Sequence, residues 1–470
     1  MEGSLTILAL AMPVAFQASV VLLDPHASQG TWEGWGTSLC WMGKAFGGRD
    51  DLADYLFTTK TVGLAGVRLP GLGLNVVRYN AGACSWNEVD GRKMVVGKVI
   101  QPFRQMEGFW LDPKMDRWDW SLDEAQRKMM QGAKRRGADR FELFSNSPMW
   151  WMCRNDNPSG AADAKGDNLR EDEYGRFAAY LAEVAKRAKE KWGVAFTTVE
   201  PFNEPASPYW GENGKQEGCH FSPPAQSRLL PLLRRELDAR RLGNLPIAAS
   251  DETSMSDALG TWKSLPPKAR ALVAQVNVHG YEGEGSPRRE LRAMIGDKPL
   301  WLSEHGERDG TGLSMARNLH RDFRDLRPKA WCYWQPLDGG GWGFIEADLP
   351  KTRLVRANPK AFVMAQYTRH VRPGMTILRA DDLGTIAAYD PKRHRLAIVV
   401  ETGEEPTQKR FDLSRFAKVG RSAARWTTEP KGTARYAKGT DVRLDGKTLD
   451  VTLPSNSIQT FEIDGVSTQP

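Results

Sequence analysis

Two glutamates stand at the ends of apolar, strand-like runs. Glu204 lies in Glu200-Pro-Phe-Asn-Glu204-Pro205 after Val194–Val199, and Glu304 in Trp301-Leu-Ser-Glu304-His305-Gly306 after Pro299–Ser303. Cleavage of a glycosidic bond takes two carboxyl groups flanking it, one protonated to release the leaving group, one ionised to attack or stabilise the anomeric carbon. In that chemistry Glu204 is the general acid, its pKa raised by the neighbouring carboxylate. Glu304 is the nucleophile, kept ionised by Arg78 and by the hydroxyl of Tyr281. Asn203 can hydrogen-bond the sugar 2-hydroxyl, a contact that strengthens as the ring becomes oxocarbenium-like. Glu33, Glu200, Glu252 and Glu307 are rival carboxylates; alternation along the strand points Glu200 away from Glu204, and Glu307 reads as loop surface.

The elements that must position this pair alternate in type. Strand-like runs occur at Thr31–Thr37, Leu74–Tyr79, Arg140–Ser145, Val194–Val199, Pro246–Ser250, Gln275–His279, Pro299–Ser303 and Ala330–Gln335. Between and after them, helical periodicity marks Leu122–Arg136, Tyr174–Trp192, Gln226–Leu242, Leu313–Leu326 and Asn358–Val371, as in the three-and-four spacing of Phe177, Tyr180, Leu181 and Val184. Eight strand–helix units predict an α/β chain closed as a (β/α)8 TIM barrel, whose site gathers at the C-terminal ends of the strands. Those ends supply Arg78 and Asn80, Asn146 with Trp150 and Trp151, Asn203 with Glu204, His279 with Tyr281, Glu304, and Trp334 with Asp338. Of the 17 tryptophans most are core filler; Trp86, Trp150, Trp151, Trp210, Trp334 and Trp342 neighbour these loops and can serve as flat platforms for sugar rings.

After Arg372-Pro-Gly374 the pattern shortens to runs such as Gly384–Tyr389, Leu396–Val400 and Thr448–Leu453, separated by Asp-Pro and Asp-Gly turns. This predicts an antiparallel β-sandwich side domain, with Val20–Leu23 joining the same sheet. The expected organisation is a signal peptide over residues 1–18, an N-terminal strand of the side domain over 19–30, the barrel over 31–372 and the sandwich over 373–470.

Composition excludes several classes. A net charge of +7 arises from 65 basic and 58 acidic residues scattered along the chain, without a nucleic-acid motif or a basic block interleaved with aromatics. The seven histidines form no HExxH or related ligand spacing, so neither metal nor other cofactor is expected. Gly339-Gly-Gly-Trp-Gly343 lacks the Gly-Lys-Ser/Thr ending of a phosphate loop and reads as substrate-lining. Five dispersed cysteines leave room for one or two bridges and an odd thiol, not a disulfide scaffold. Leu5–Phe16 followed by Gln-Ala-Ser resembles a signal-peptide core and cleavage site, although no Lys or Arg precedes it. It is too short to span a membrane. The expectation is a secreted, monomeric protein whose partner is a polysaccharide or oligosaccharide.

At Trp32-Glu-Gly-Trp-Gly-Thr-Ser38, Val76-Val-Arg-Tyr-Asn80, Phe202-Asn-Glu-Pro205, Ser303-Glu-His-Gly306 and Gln366-Tyr-Thr-Arg-His-Val-Arg-Pro-Gly374 the chain resembles glycoside hydrolase family 30, from about Ser19 to Ile463. The resemblance implies a (β/α)8 barrel joined to a β-sandwich, and retaining hydrolysis with the acid/base at Glu204 and the nucleophile at Glu304. Gly36-Thr-Ser-Leu-Cys-Trp41 and Ala330-Trp-Cys-Tyr-Trp-Gln-Pro-Leu-Asp338 are similar to the branch that cuts β-1,6-galactan side chains of arabinogalactan. The alternatives are another specificity in the same fold (endo-β-1,6-glucanase, xylanase, glucosylceramidase-like) and a non-catalytic carbohydrate-binding protein.

Overall fold

A computed structural model describes residues 18–468; the expected signal peptide lies almost wholly outside them. Eight parallel strands close into a barrel: β1 (Gly34–Ser38), β2 (Val76–Asn80), β3 (Arg140–Phe144), β4 (Thr198–Glu200), β5 (Ile247–Glu252), β6 (Val273–His279), β7 (Leu300–His305) and β8 (Ala330–Tyr333). Neighbours in sequence are neighbours in space, and β8 pairs with β1 through Cys332 opposite Gly36. A Cβ at Gly36 would sit 2.6 Å from Cys332 Sγ and 2.7 Å from the Val76 carbonyl, so only glycine lets these three strands approach. Strand β4 begins four residues later than the apolar run suggests. Gly193, with φ +69, ends the preceding helix, and Thr197 already spends its amide on the Phe141 carbonyl outside the regular ladder.

Helices coat the barrel. In Tyr174–Arg187 the buried residues Phe177, Tyr180, Leu181 and Val184 form one stripe, and the helix ends in a wider π turn over Ala188–Trp192. Helix Leu313–Arg321 ends the same way over Asp322–Leu326. The barrel interior is graded. Val76, Trp301, Ala330 and Cys332 form an apolar floor, and above it Glu142 accepts from Arg78, Thr198 and Asn277.

The C-terminal strands make a ten-stranded sheet folded on itself. The N-terminal strand Ser19–Thr31 belongs to both of its layers. Its first residues pair in parallel with Thr407–Asp412, and from Leu23 on it runs antiparallel to Thr376–Ala380, with irregularities between Asp24 and Ser28 and between Ser28 and Gly30. Between the layers lie Val21, Leu23, Phe411, Leu449 and Val451 against Leu378, Ile398, Val400 and Phe461. The outer face of the larger layer is buried too, because Ile386, Ala388, Ala397 and Val399 join the barrel core. That two-sided burial is why Leu396–Val400 is continuously apolar. Strand Thr407–Asp412 has no counterpart among the sequence-predicted strands, since its inward residues are one lysine and one phenylalanine; Lys409 enters the interior by pairing with Asp382.

All five cysteines are buried free thiols, so the anticipated bridges do not form. No described helix is long and apolar enough to cross a membrane.

Candidate active site

Arg78 anchors the mouth of the barrel. Wholly buried, it cannot be left without counter-charge. Its Nε donates to Glu142 Oε1 at 2.9 Å and its Nη1 to Glu304 Oε2 at 3.1 Å. Its Nη2 donates to Asp251 Oδ2, and the guanidinium lies 4.3 Å from the centre of the Phe144 ring. Tyr281, just beyond β6, donates its hydroxyl to the other Glu304 oxygen at 2.8 Å. His279 bridges the two glutamates, with Nδ1 3.1 Å from Glu204 Oε1 and 3.6 Å from Glu304 Oε1. Its Nε2 lies 3.2 Å from Asp251 Oδ2.

Glu204 is held by its backbone as well as its side chain. It adopts φ +49, unusual for a residue with a Cβ. Its amide donates to the Asp251 carbonyl at 2.8 Å, and its own carbonyl accepts from Trp210 Nε1 at 2.8 Å. Tyr209 donates to Glu204 Oε2 at 2.5 Å. Side-chain oxygens of Glu204 and Glu304 come within 4.8 Å of one another, together with a nitrogen of His279. No other such cluster occurs among the described residues, and with His279 protonated it offers a cation no nitrogen lone pair.

The electrostatics follow from burial and neighbours. Burial opposes charge on His279, but Glu304 and Asp251 outweigh it and hold the ring well above its ordinary value, as an imidazolium. Burial pushes the Glu304 carboxyl above its ordinary value, and His279 and Arg78 offset that only in part. Glu200, the rival on β4, is enclosed and pushed well up by burial and by Asp251, and one of its oxygens has no partner. Glu33 accepts from Trp301 Nε1, and Glu252 from Thr261 and the Ala206 amide. None of the four rivals lines the cleft.

That cleft, of about 850 Å³, is lined by Glu204, Glu304, Asn203, Tyr281, Trp334 and Asp338. Asn203 Oδ1 is buried without a partner, poised for a hydroxyl. Three of the sequence-predicted residues face elsewhere. Asn80 donates to Glu217 and receives the Asn146 amide, and the Asn146 side chain turns to Cys40, all behind the cleft wall. Trp151 donates to the Trp110 carbonyl and meets that ring edge-on at 5.4 Å, within a stack continued by Trp118 and Trp120. Of the anticipated platforms, Trp210, Trp334 and Trp342 reach the cleft. Sequence reading missed Asp251, which the strand-end rule reaches at Ser250-Asp-Glu252. It also missed Trp41, Arg104, Tyr209, Lys215 and Arg308, which lie on loops without periodic signal.

Comparison with known proteins agrees with this geometry. O-glycosyl hydrolase family 30 matches residues 18–257, and an endo-β-1,6-galactanase of Hypocrea rufa is 44% identical over 461 residues, 96% of either chain. The chain belongs to glycoside hydrolase family 30. Among solved structures, a conserved exported protein of Bacteroides fragilis superposes with a TM-score of 0.77 at 18% identity, covering 94% of this chain and 100% of that one. The catalytic domain of xylanase C of Talaromyces cellulolyticus, also of family 30, gives 0.72 at 18% identity, covering 95% and 100%. Both likenesses concern the fold, a barrel with an attached sheet. This family member is a glycoside hydrolase.

Proposed function

We propose that the protein hydrolyses β-1,6-galactosidic linkages in galactan side chains by double displacement, with Glu304 as nucleophile and Glu204 as acid/base. The observation that carries the mechanism is the approach of an oxygen of Glu204 to within 4.8 Å of an oxygen of Glu304. Double displacement works at about 5–5.5 Å, whereas inversion needs roughly 6.5–9.5 Å to admit a water between carboxyl and sugar. In the first step a Glu304 oxygen bonds to the anomeric carbon as the glycosidic C–O bond breaks, and the proton of Glu204 passes to the departing oxygen. The Arg78 guanidinium and the Tyr281 hydroxyl stabilise the charge of the Glu304 carboxylate before attack and aim it. Once Glu304 is an ester its charge is gone. Glu204, now a carboxylate, takes a proton from the incoming water, whose oxygen bonds to the anomeric carbon and frees Glu304 with the β configuration restored.

The galactan specificity is supported by the likeness to the Hypocrea rufa galactanase, which extends over 96% of both chains. A polysaccharide substrate supports action outside the cell, and the cleft and its supports are built within a single chain. The test is incubation with de-arabinosylated arabinogalactan, β-1,6-glucan and glucuronoxylan in parallel, with proton NMR of the first product formed. Release of β-anomeric galacto-oligosaccharides from the first alone is expected. An α-anomer as first product would overturn the mechanism, and release from another polymer would overturn the specificity.

A further inference from the structure

Beside the catalytic cleft lies a second groove of about 680 Å³. Three segments separate the two, and each faces both. On the turn Pro102–Gln105, Arg104 lines the cleft while Phe103 and Gln105 line the groove; at the short helix Met42–Phe46, Trp41 just before it lines the cleft and Lys44 within it lines the groove. After β8, Asp338 and Gly339 line the cleft and Leu349 and Pro350 the groove. The ridge is two rings thick, Phe103 on the groove side meeting Trp41 on the cleft side edge-on with centroids 6.2 Å apart.

Trp86 stands on the groove's wall with 71% of its surface exposed, although the chain buries most of its tryptophans. An exposed tryptophan beside a concave surface marks a binding face rather than a core residue. The charged groups around it are engaged. Lys44 donates to the Gln105 carbonyl, Asp119 accepts from Ser121, and Glu107 accepts the Asp123 amide. Two amides remain available: Asn87 has a buried Oδ1 with no partner, and Gln105 is engaged through its backbone only. A flat aromatic face with amide groups, beside charged groups already held in hydrogen bonds to the protein, fits a neutral pyranose ring.

We propose that this groove is a distal subsite for the polysaccharide itself, binding neutral sugar residues of the chain that leaves the cleft across the Phe103–Trp41 ridge. The inference rests on the proposed hydrolase reading, because it takes the groove's ligand to be the polymer whose bond is cut next door. Holding the chain there raises the local concentration of scissile linkages at Glu304 without touching the reacting atoms.

The test compares Trp86→Ala and Gln105→Ala with the wild type on a polymer and on a trisaccharide. Kinetics are measured on de-arabinosylated galactan and on β-1,6-galactotriose, which is too short to fill both cavities. For Trp86→Ala the expected result is a KM for galactan raised about five- to tenfold, the cost of one truncated aromatic anchor. Its kcat, its trisaccharide kinetics and its unfolding midpoint are expected to stay unchanged, and Gln105→Ala to show a smaller change of the same kind. Equal losses on both substrates, or none on either, overturn the proposal. Should the wild type cut neither substrate, the galactan specificity fails by itself. Affinity electrophoresis in gels containing neutral polysaccharides then decides the groove separately: retardation weakened by Trp86→Ala upholds it, and retardation independent of Trp86 overturns it.

Discussion

Asp251 and Glu252 are consecutive, both wholly enclosed, and they belong to opposite sides of one strand. Asp251 faces the barrel mouth, where burial would raise its carboxyl, but Arg78 and His279 outweigh burial and hold it at about 2. Glu252 faces the outer wall, where it meets the Thr261 hydroxyl at 2.6 Å and the Ala206 amide at 3.0 Å. With neutral donors alone, burial pushes it up to about 7. Glu217 repeats the second pattern, accepting from Ala83 and Asn80 and also reaching about 7. Enclosure by itself therefore does not mark a working carboxylate. The inner ones are met by cations: Asp251 holds Arg78 and His279 in place from behind, and Glu304 meets the same two cations while lining the cleft. The outer ones tie loops down: Glu252 holds the turn beside Glu204, and Glu217 holds the segment after Tyr209 and Trp210.

Substitutions that change charge and keep shape sharpen this contrast. Glu304→Gln removes the nucleophile and should cost roughly 10⁴-fold or more in kcat on galactan, measured by reducing-end release; a loss under tenfold would contradict its role. Glu204→Gln should cost about 10²- to 10⁴-fold. That deficit should shrink on an aryl β-galactoside whose leaving group departs without a proton. Asp251→Asn leaves Arg78 and His279 short of counter-charge, with an expected loss on the order of 3 kcal/mol in unfolding free energy by urea titration. Wild-type Asp251 contributes stability that is present above its ordinary value of 3.8 and lost as pH falls towards about 2. The variant should lack that acid-side slope.

Glu252→Gln should have the smallest effect on turnover, within about threefold by the same assay, because the amide can still accept from Thr261. Its signature is in stability. Between the ordinary carboxyl value of 4.5 and about 7 the folded state keeps a proton that the unfolded state has released. Wild-type stability therefore falls as pH rises through that window, and the variant's slope should be shallower. A turnover loss from Glu252→Gln beyond about tenfold would erase the distinction between the two faces.

The barrel was legible because parallel strands buried on both faces write unbroken apolar runs, and because strand ends converge by geometry. Glu204, Glu304, Arg78, His279 and Tyr281 come into view that way. The same rule leads to Asn80 and Asn146, which stand at strand ends but point behind the wall. A position along the chain does not tell which way a strand-end side chain turns once the ladder breaks into a loop. Tyr209 and Arg104 were invisible for a related reason: they sit in long insertions whose path depends on tertiary contacts such as Trp210 to the Glu204 carbonyl. Strand Thr407–Asp412 was hidden because an ion pair stands in for apolar burial at Lys409.

The strand Ser19–Thr31 has a consequence for how the chain is made. It leaves the ribosome hundreds of residues ahead of its partners Thr376–Ala380 and Thr407–Asp412. Until then Val21 and Leu23 and two unpaired strand edges wait in solvent, beside a barrel that cannot close before β8 is synthesised. Truncation after the barrel would make that wait permanent, turning a shared strand of the finished molecule into a sticky edge on an orphaned one.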